Sequence, residues 1–309
     1  MTVIVIAGGL SHERDVSLRS GRRVAAALRG AGHDVIETDV SPTLLELCAE
    51  HPEAVVVPML HGGVGEDGAL REVLDVMNVK YVGSNGAASH LTFDKSTANP
   101  TVAAAGIRVP RQVALPHDIF RELGAQTIMQ GIAENLGFPL MVKPSRSGSA
   151  LGVTKVESSD ELPQALVGAY AYGQVVVIEE FIDGAEVAVT VIDEGEGPVA
   201  MPPVEIRATG GVYDYEARYT AGATRFITPA ELPDEVLERC TAMAVAVHNA
   251  LGQEQLSRSD IIVTAEGEPV FIEGNVAPGM TETSLAPLAF EAGGRTVGDV
   301  FSKLVEAVR

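Results

Sequence analysis

Val3 to Ile6 form an unbroken apolar run that stops at Gly8-Gly9, the pattern of a strand buried on both faces of a parallel sheet. Val16, Val24, Ala25 and Leu28 then recur at helical spacing as far as Gly30 and Gly32, and His33 to Val40 predicts a second strand. Ser41-Pro42 has the composition of a helix start, serine as N-cap and proline in the first turn, for a helix carrying Leu44, Leu45 and Leu47. Ala54 to Leu60 predicts a third strand, followed by a turn-rich loop, His61 to Gly68, and a helix carrying Leu70, Val73, Leu74 and Val76. This alternation predicts an α/β fold with an open, doubly wound parallel sheet over roughly the first ninety residues.

From Ser96 the rhythm changes. A helix ending near Gly106, an extended run Arg111 to Leu115, a long helical stretch and a strand Phe138 to Lys143 predict an α+β unit. The strand runs into a loop of small residues, Pro144 to Gly152, and a helix is expected near Ser159 to Tyr172. Strands follow at Val175 to Ile182, Val187 to Ile192 and Val204 to Ile206, then a segment rich in Gly, Thr and Tyr from Ala208 to Ala230, long enough to expect a functional loop. Leu232 to Leu251, Leu285 to Phe290 and Val297 to Val308 predict helices.

At 309 residues the chain exceeds what one core usually serves. Its net charge of -20 argues against nucleic acid or an anionic membrane as partner, so an anionic ligand needs a locally basic site. Cys48 and Cys240 lack metal-ligand or C-x-x-C spacing and read as reduced core residues of a cytoplasmic protein. No signal peptide and no long apolar span are expected.

Candidate chemistry concentrates near the carboxyl end. Two apolar runs, Ile261 to Val263 and Val270 to Ile272, flank Glu266-Gly267 and predict a β-hairpin centred on that pair. In that register Asp260 faces Glu273, and opposed carboxylates destabilise a sheet unless a cation lies between them. Asn275 adds a neutral oxygen on the same face, and three hard oxygens point to Mg²⁺ or Mn²⁺. Solvated edge carboxylates are the alternative, and a three-residue loop would shift the register by one. Arg258 shares the face of Asp260, where a guanidinium could neutralise a negative reaction centre or form an ordinary ion pair.

Lys143, at a strand end beside accessible backbone amides, suits a phosphate, although the spacing is not that of a P-loop. Glu179 suits a ribose or an adenine amino group, unless it is only a solvated strand end. Gly8 to Arg14 is not G-x-G-x-x-G, which argues against a dinucleotide enzyme. His12 and His61 fall at carboxyl ends of strands, where open α/β sheets bind ligands and where ordinary loop histidines also occur. Pro278-Gly279 predicts a turn with an inward N–H, and Ser284 a cap at a carboxylate-attracting helix start.

In order along the chain, Gly8-Gly9-Leu10-Ser11-His12-Glu13-Arg14-Asp15-Val16-Ser17, His61 to Gly68, Asp94-Lys95, Lys143-Pro144-Ser145-Arg146, Tyr213 to Tyr219 and Glu273 to Thr281 resemble the D-alanine–D-alanine ligases of the ATP-grasp superfamily, and the match spans nearly the whole chain. The resemblance implies three units: residues 1–94, an α/β substrate-binding domain; 95–178, a small ATP-grasp domain; and 179–309, a domain with the metal site and a closing loop at Ala208 to Ala230. It implies that Lys95, Lys143, Glu179, Glu186 and Arg218 hold ATP, while Asp260, Glu273 and Asn275 bind two Mg²⁺. Glu13, Ser149 and Tyr219 would serve the ammonium of a first D-alanine, with Ser17 and His61 among its contacts. Arg258 and the Gly279 N–H would stabilise the tetrahedral oxyanion, and Ser284 would hold the second carboxylate. The implied activity is ATP-dependent formation of D-alanyl-D-alanine through an acyl phosphate, for peptidoglycan synthesis, by a cytoplasmic homodimer. A ligase for other amino or hydroxy acids, or a low-activity paralogue, are the alternatives. The chain departs from the family where Arg218 and Asn99 replace lysines, Ala150 a serine, and Val276-Ala277 a more polar pair; Tyr219 favours an amine nucleophile over D-lactate.

Overall fold

The computed structural model describes residues 1–208 and 222–308. Its first sheet holds β1 (Thr2–Ile6), β2 (Asp34–Thr38) and β3 (Val55–Pro58) in the order β2-β1-β3, all parallel. The apolar run of β1 is buried on both faces, because residues alternate sides along a strand. Ile4 and Ile6 pack with Val56, Leu44 and Leu74 on one side. Val3 and Val5 pack with Val24 and Leu28 on the other, in a core shared with Phe290, Phe301 and Leu304 from the far end of the sequence. The intervening helix is Arg14–Gly30. The helix expected to open at Ser41-Pro42 instead runs Leu44–Glu50 with Thr43 at its cap, because the Ser41 carbonyl is spent on a turn that accepts the Leu44 N–H at 3.1 Å.

The second sheet is four-stranded and antiparallel, ordered β4-β7-β5-β6, from β4 (Gln112–Pro116), β5 (Leu140–Pro144), β6 (Thr154–Val156) and β7 (Val175–Glu180). Helix Leu162–Tyr170 covers it with Leu162, Ala165, Leu166 and Ala169. The third sheet runs β11-β10-β8-β12-β13, with β9 also on β8. Its strands are β8 (Ala185–Asp193), β9 (Pro198–Ala200), β10 (Val204–Ala208), β11 (Thr224–Ile227), β12 (Leu256–Val263) and β13 (Pro269–Asn275). Part of the segment expected as a loop is therefore strand, since β11 returns antiparallel to β10 with Glu205 opposite Ile227. Tyr213, Arg218 and Tyr219 lie outside the described residues. Helix Asp234–Ala250 packs Val236, Cys240 and Ala244 on this sheet. Cys48 and Cys240 are buried free thiols. Among the described residues no helix is long and apolar enough to cross a membrane.

The hairpin β12–β13 places Asp260 opposite Glu273 and Arg258 opposite Asn275, as the sequence suggested, by a different route. The loop is the three-residue alternative, residues 265–267 with Gly267 at φ 79°: the Thr264 N–H bonds the Glu268 carbonyl at 3.0 Å, and Val263 faces Pro269. That turn puts the strands one residue out of the expected register, with Ile261 opposite Phe271. A β-bulge at Ile272 then inserts one residue and restores the carboxylate pairing.

Candidate active site

Two cavities meet at the bulged hairpin. The first, about 410 Å³, is lined by Glu13, His61, Lys95, Ser149, Arg258, Asn275, Gly279 and Ser284. The second, about 330 Å³, is lined by Lys143, Glu179, Glu186 and Asp260, and Glu273 lines both. Residues scattered through the sequence thus converge on either side of one pair of strands.

Glu13 sits just before helix Arg14–Gly30 and accepts a short hydrogen bond from the Ser149 hydroxyl. Its carboxylate fills the space where Gly62 and Gly148 have no side chain; a Cβ at either would collide with it. Gly62 also has φ of 67°, which favours glycine. Ser149 and Ala150 both adopt left-handed backbone, φ 50° and 57°, a strain that sets the serine hydroxyl against Glu13.

His61 is buried, and both ring nitrogens are committed to protein. Nδ1 lies 2.9 Å from the Ala277 carbonyl, which can only accept, so Nδ1 carries the proton and Nε2 accepts from the Ser20 hydroxyl at 2.9 Å. Burial pushes the ring down to about 4, so it is neutral near pH 7. Ser20 in turn accepts the Met280 N–H at 3.0 Å, and Arg23 donates to the Thr281 carbonyl at 2.6 Å. Helix Arg14–Gly30 therefore anchors the turn that contains Gly279. Sequence reasoning missed Ser20 and Arg23, because their partners are backbone atoms remote in sequence.

Ser17 is a correction. It is fully buried, donates to the Met59 carbonyl at 2.6 Å and accepts the Gly8 N–H at 2.7 Å, so it ties the ends of β1 and β3 together and does not reach the cavity. His12 is exposed and stands outside both cavities. Ser284 occupies the N-cap position of helix Leu285–Ala292 without capping it; its oxygen accepts the Thr281 N–H at 3.0 Å and stays on the cavity wall.

Glu66 is a third residue the sequence reading passed over, although it lies inside the His61 to Gly68 turn. It lines the first cavity and accepts the Gly62 N–H at 2.8 Å. Burial, and then the neighbouring Glu13 charge, lift its carboxyl above the ordinary range.

Arg258 grips Asp260 with a two-bond fork, Nε to Oδ1 at 2.6 Å and Nη2 to Oδ2 at 2.8 Å, with both residues buried. The ion pair does form, but it is buried and not an ordinary exposed one. Lys95 opens helix Lys95–Ala104, which Asp94 caps through the Ser96 N–H at 3.0 Å. Its ammonium lies 3.1 Å from Glu273 and 3.0 Å from the Ser147 carbonyl, tying the hairpin to the small-residue loop. Lys143 and Glu179, diagonal neighbours on β5 and β7, form a buried ion pair at 2.6 Å. Glu179 is thus a buried partner, not a solvated strand end, and among the described residues its second oxygen is buried without a hydrogen bond. Burial holds its carboxyl above the usual range even against the Lys143 charge.

A family profile described as "D-ala D-ala ligase C-terminus" matches residues 101–306. The chain belongs to the D-alanine–D-alanine ligase family. It is similar to a D-alanine–D-alanine ligase of Moorella thermoacetica, 37% identical over 306 residues, with 99% of this chain and 98% of the relative covered. Among solved structures, the VanG D-Ala:D-Ser ligase from Enterococcus faecalis superposes with TM-score 0.85 at 29% identity, covering 99% of this chain and 98% of the other. The Bacillus anthracis D-alanine–D-alanine ligase complexed with ATP gives 0.82 at 28%, covering 99% and 97%. The three sheets are accordingly an ATP-grasp fold of this family.

Proposed function

We propose that this protein joins two D-alanines into D-alanyl-D-alanine, with ATP converted to ADP and phosphate through an acyl phosphate, as a step of peptidoglycan precursor synthesis. The observation that carries the proposal is the pair of cavities meeting at Glu273, one lined by groups suited to an amino acid and the other by groups suited to a nucleotide.

In this reading ATP lies in the second cavity, with Lys143 and Lys95 toward its phosphates and Glu179 and Glu186 toward adenine and ribose. The orphaned Glu179 oxygen supports a ligand donor there. Arg218 would add a further cation. Glu13 receives the ammonium of the first D-alanine, oriented by Ser149, with Tyr219 completing the contact and His61 holding the wall behind it. The first carboxylate attacks the γ-phosphorus, the bond from that phosphorus to ADP breaks, and an acyl phosphate forms. The second amine then attacks the acyl carbon, Arg258 and the Gly279 N–H stabilise the oxyanion, and phosphate leaves. Ser284 holds the second carboxylate.

Asp260, Glu273 and Asn275 are hard oxygen donors on adjacent strands, a set that fits Mg²⁺ or Mn²⁺. Among the described residues no group of three His, Cys, Asp or Glu stands together. When bound, such ions neutralise charge on the transferring phosphoryl group. Residues 1–94, 95–178 and 179–309 act here as an amino-acid-binding unit and two units that clasp the nucleotide, in a cytoplasmic homodimer whose partners are small molecules.

Incubation with ATP, Mg²⁺ and D-alanine is expected to release phosphate and form the dipeptide. No phosphate release at high D-alanine would sink the proposal, and faster turnover when D-serine or D-lactate is supplied as second substrate would replace its product assignment.

A further inference from the structure

We infer that Asn99 is a positioning residue for the cation-holding strand: its side-chain amide, oriented by Gln112, secures the bulge at Ile272 that sets Glu273 against Asp260. The inference rests on the proposed role of Asp260 and Glu273 as cation ligands.

Asn99 is completely buried in helix Lys95–Ala104. Its Nδ2 donates to Gln112 Oε1 at 3.1 Å and to the Ile272 carbonyl at 3.4 Å, and Gln112 Nε2 donates to the Lys95 carbonyl at 3.4 Å. These contacts fix both amide orientations. The Lys95 carbonyl can only accept, so it draws the Gln112 nitrogen and leaves the Gln112 oxygen facing Asn99. Asn99 must then present its nitrogen, because the opposite orientation would set its oxygen against two other oxygens.

Ile272 is the inserted residue of the bulge, and Glu273 follows it. Lys95 lies one helical turn before Asn99, on the same helix face. One face of one helix thus holds two consecutive residues of β13: Asn99 takes the backbone of Ile272, and Lys95 takes the carboxylate of Glu273 at 3.1 Å. The two contacts differ in kind. The ion pair to Lys95 follows the carboxylate wherever it moves, whereas the amide fixes the peptide from which the carboxylate projects. The 3.4 Å bonds are long ones, and the completely buried Asn99 makes both of its contacts from the protein interior.

The arrangement is poor as a pure stability device. Among the described residues Asn99 Oδ1 is buried without a hydrogen-bond partner, and a leucine of similar size would avoid that penalty. Gln112 also stands opposite Glu179 at the start of β4, so the amide pair joins the nucleotide-side sheet to the cation-side hairpin. A helix, an edge strand and the bulge are thereby keyed together at one point.

The test is Mn²⁺ binding in the presence of ATP, read as free Mn²⁺ by electron paramagnetic resonance on the full chain, with unfolding temperature measured alongside. Asn99→Leu and Gln112→Leu are each expected to weaken Mn²⁺ about tenfold, the range seen when a ligand's supporting hydrogen bond is lost. The double variant should be no worse than the weaker single one, because both act through the same bulge. ATP binding in EDTA should change less than twofold. Asn99→Lys, which keeps a donor toward both oxygens, should retain Mn²⁺ affinity within about threefold. Wild-type Mn²⁺ affinity in Asn99→Leu, even with a lowered unfolding temperature, overturns the inference, as does additive weakening in the double variant. If Asn99→Leu does not fold, Gln112→Leu and Asn99→Lys decide the matter by the same criteria. A wild-type protein that binds no Mn²⁺ with ATP would instead refute the cation reading of Asp260 and Glu273.

Discussion

His61 shows how a residue of the site can work without a free functional group. Its Nδ1–H is given to Ala277 and its Nε2 to Ser20, so only the neutral ring fits. The folded-state value, about 4, lies below the ordinary 6.5, so the unfolded chain takes up a proton first as pH falls. This contribution to stability is complete above pH 6.5 and is lost progressively toward pH 4, to a total of about 3 kcal/mol. Urea unfolding at pH 7 and pH 4.5 should therefore show a smaller acid-induced loss in His61→Gln than in wild type; equal losses would refute the account. At this scale the sequence revealed residue types and hid commitments. Arg258 and Asp260 stood out as charged groups beside apolar strand residues, which need partners, whereas Glu13 was reached only through the family resemblance. Ser17 was misread because a small polar residue on an inward helix face looks the same whether it touches a ligand or two strand ends. Glu66 was passed over because burial, which makes it unusual, has no local sequence mark.

Among elements, the apolar runs located most strands, while end chemistry and turn length were less legible. Ser41-Pro42 carried start signals, yet a preceding turn used them, and the hairpin took the three-residue loop in place of the two-residue one. Asp260 and Glu273 face each other because two departures, the longer turn and the bulge, offset one another; Gly267 at φ 79° marks the turn, while no glycine or proline marks the bulge at Ile272. The Lys143–Glu179 pair across β5 and β7 gives a test at this level. Lys143→Met would leave the Glu179 carboxylate buried without its cation, at a cost of about 3–5 kcal/mol while the group stays charged. The carboxyl already sits above its ordinary range, and loss of the ammonium raises it further. Folding then binds a proton, so the variant should lose more stability at pH 8 than at pH 5 in urea unfolding. A larger loss at pH 5 would contradict the sign.

For the whole molecule, composition carries the charge but not which distant segments share a core. A net charge of -20 implies self-repulsion in the compact state, which salt screens. Raising sodium chloride from low to physiological strength should lift the unfolding temperature by a few degrees, measured by calorimetry; a flat or falling value would show that local ion pairs outweigh the global field. The shared core has a different bearing. Val3 and Val5 of the first strand pack with Phe290, Phe301 and Leu304, which the ribosome adds only at the far end of the sequence. During synthesis the parallel sheet must therefore wait with one apolar face only partly covered, by helix Arg14–Gly30, until helix Val297–Ala307 emerges. The floor that carries Glu13 is the first part of the site to be made and among the last to be completed, and a nascent chain stalled late in translation is the form most exposed to aggregation.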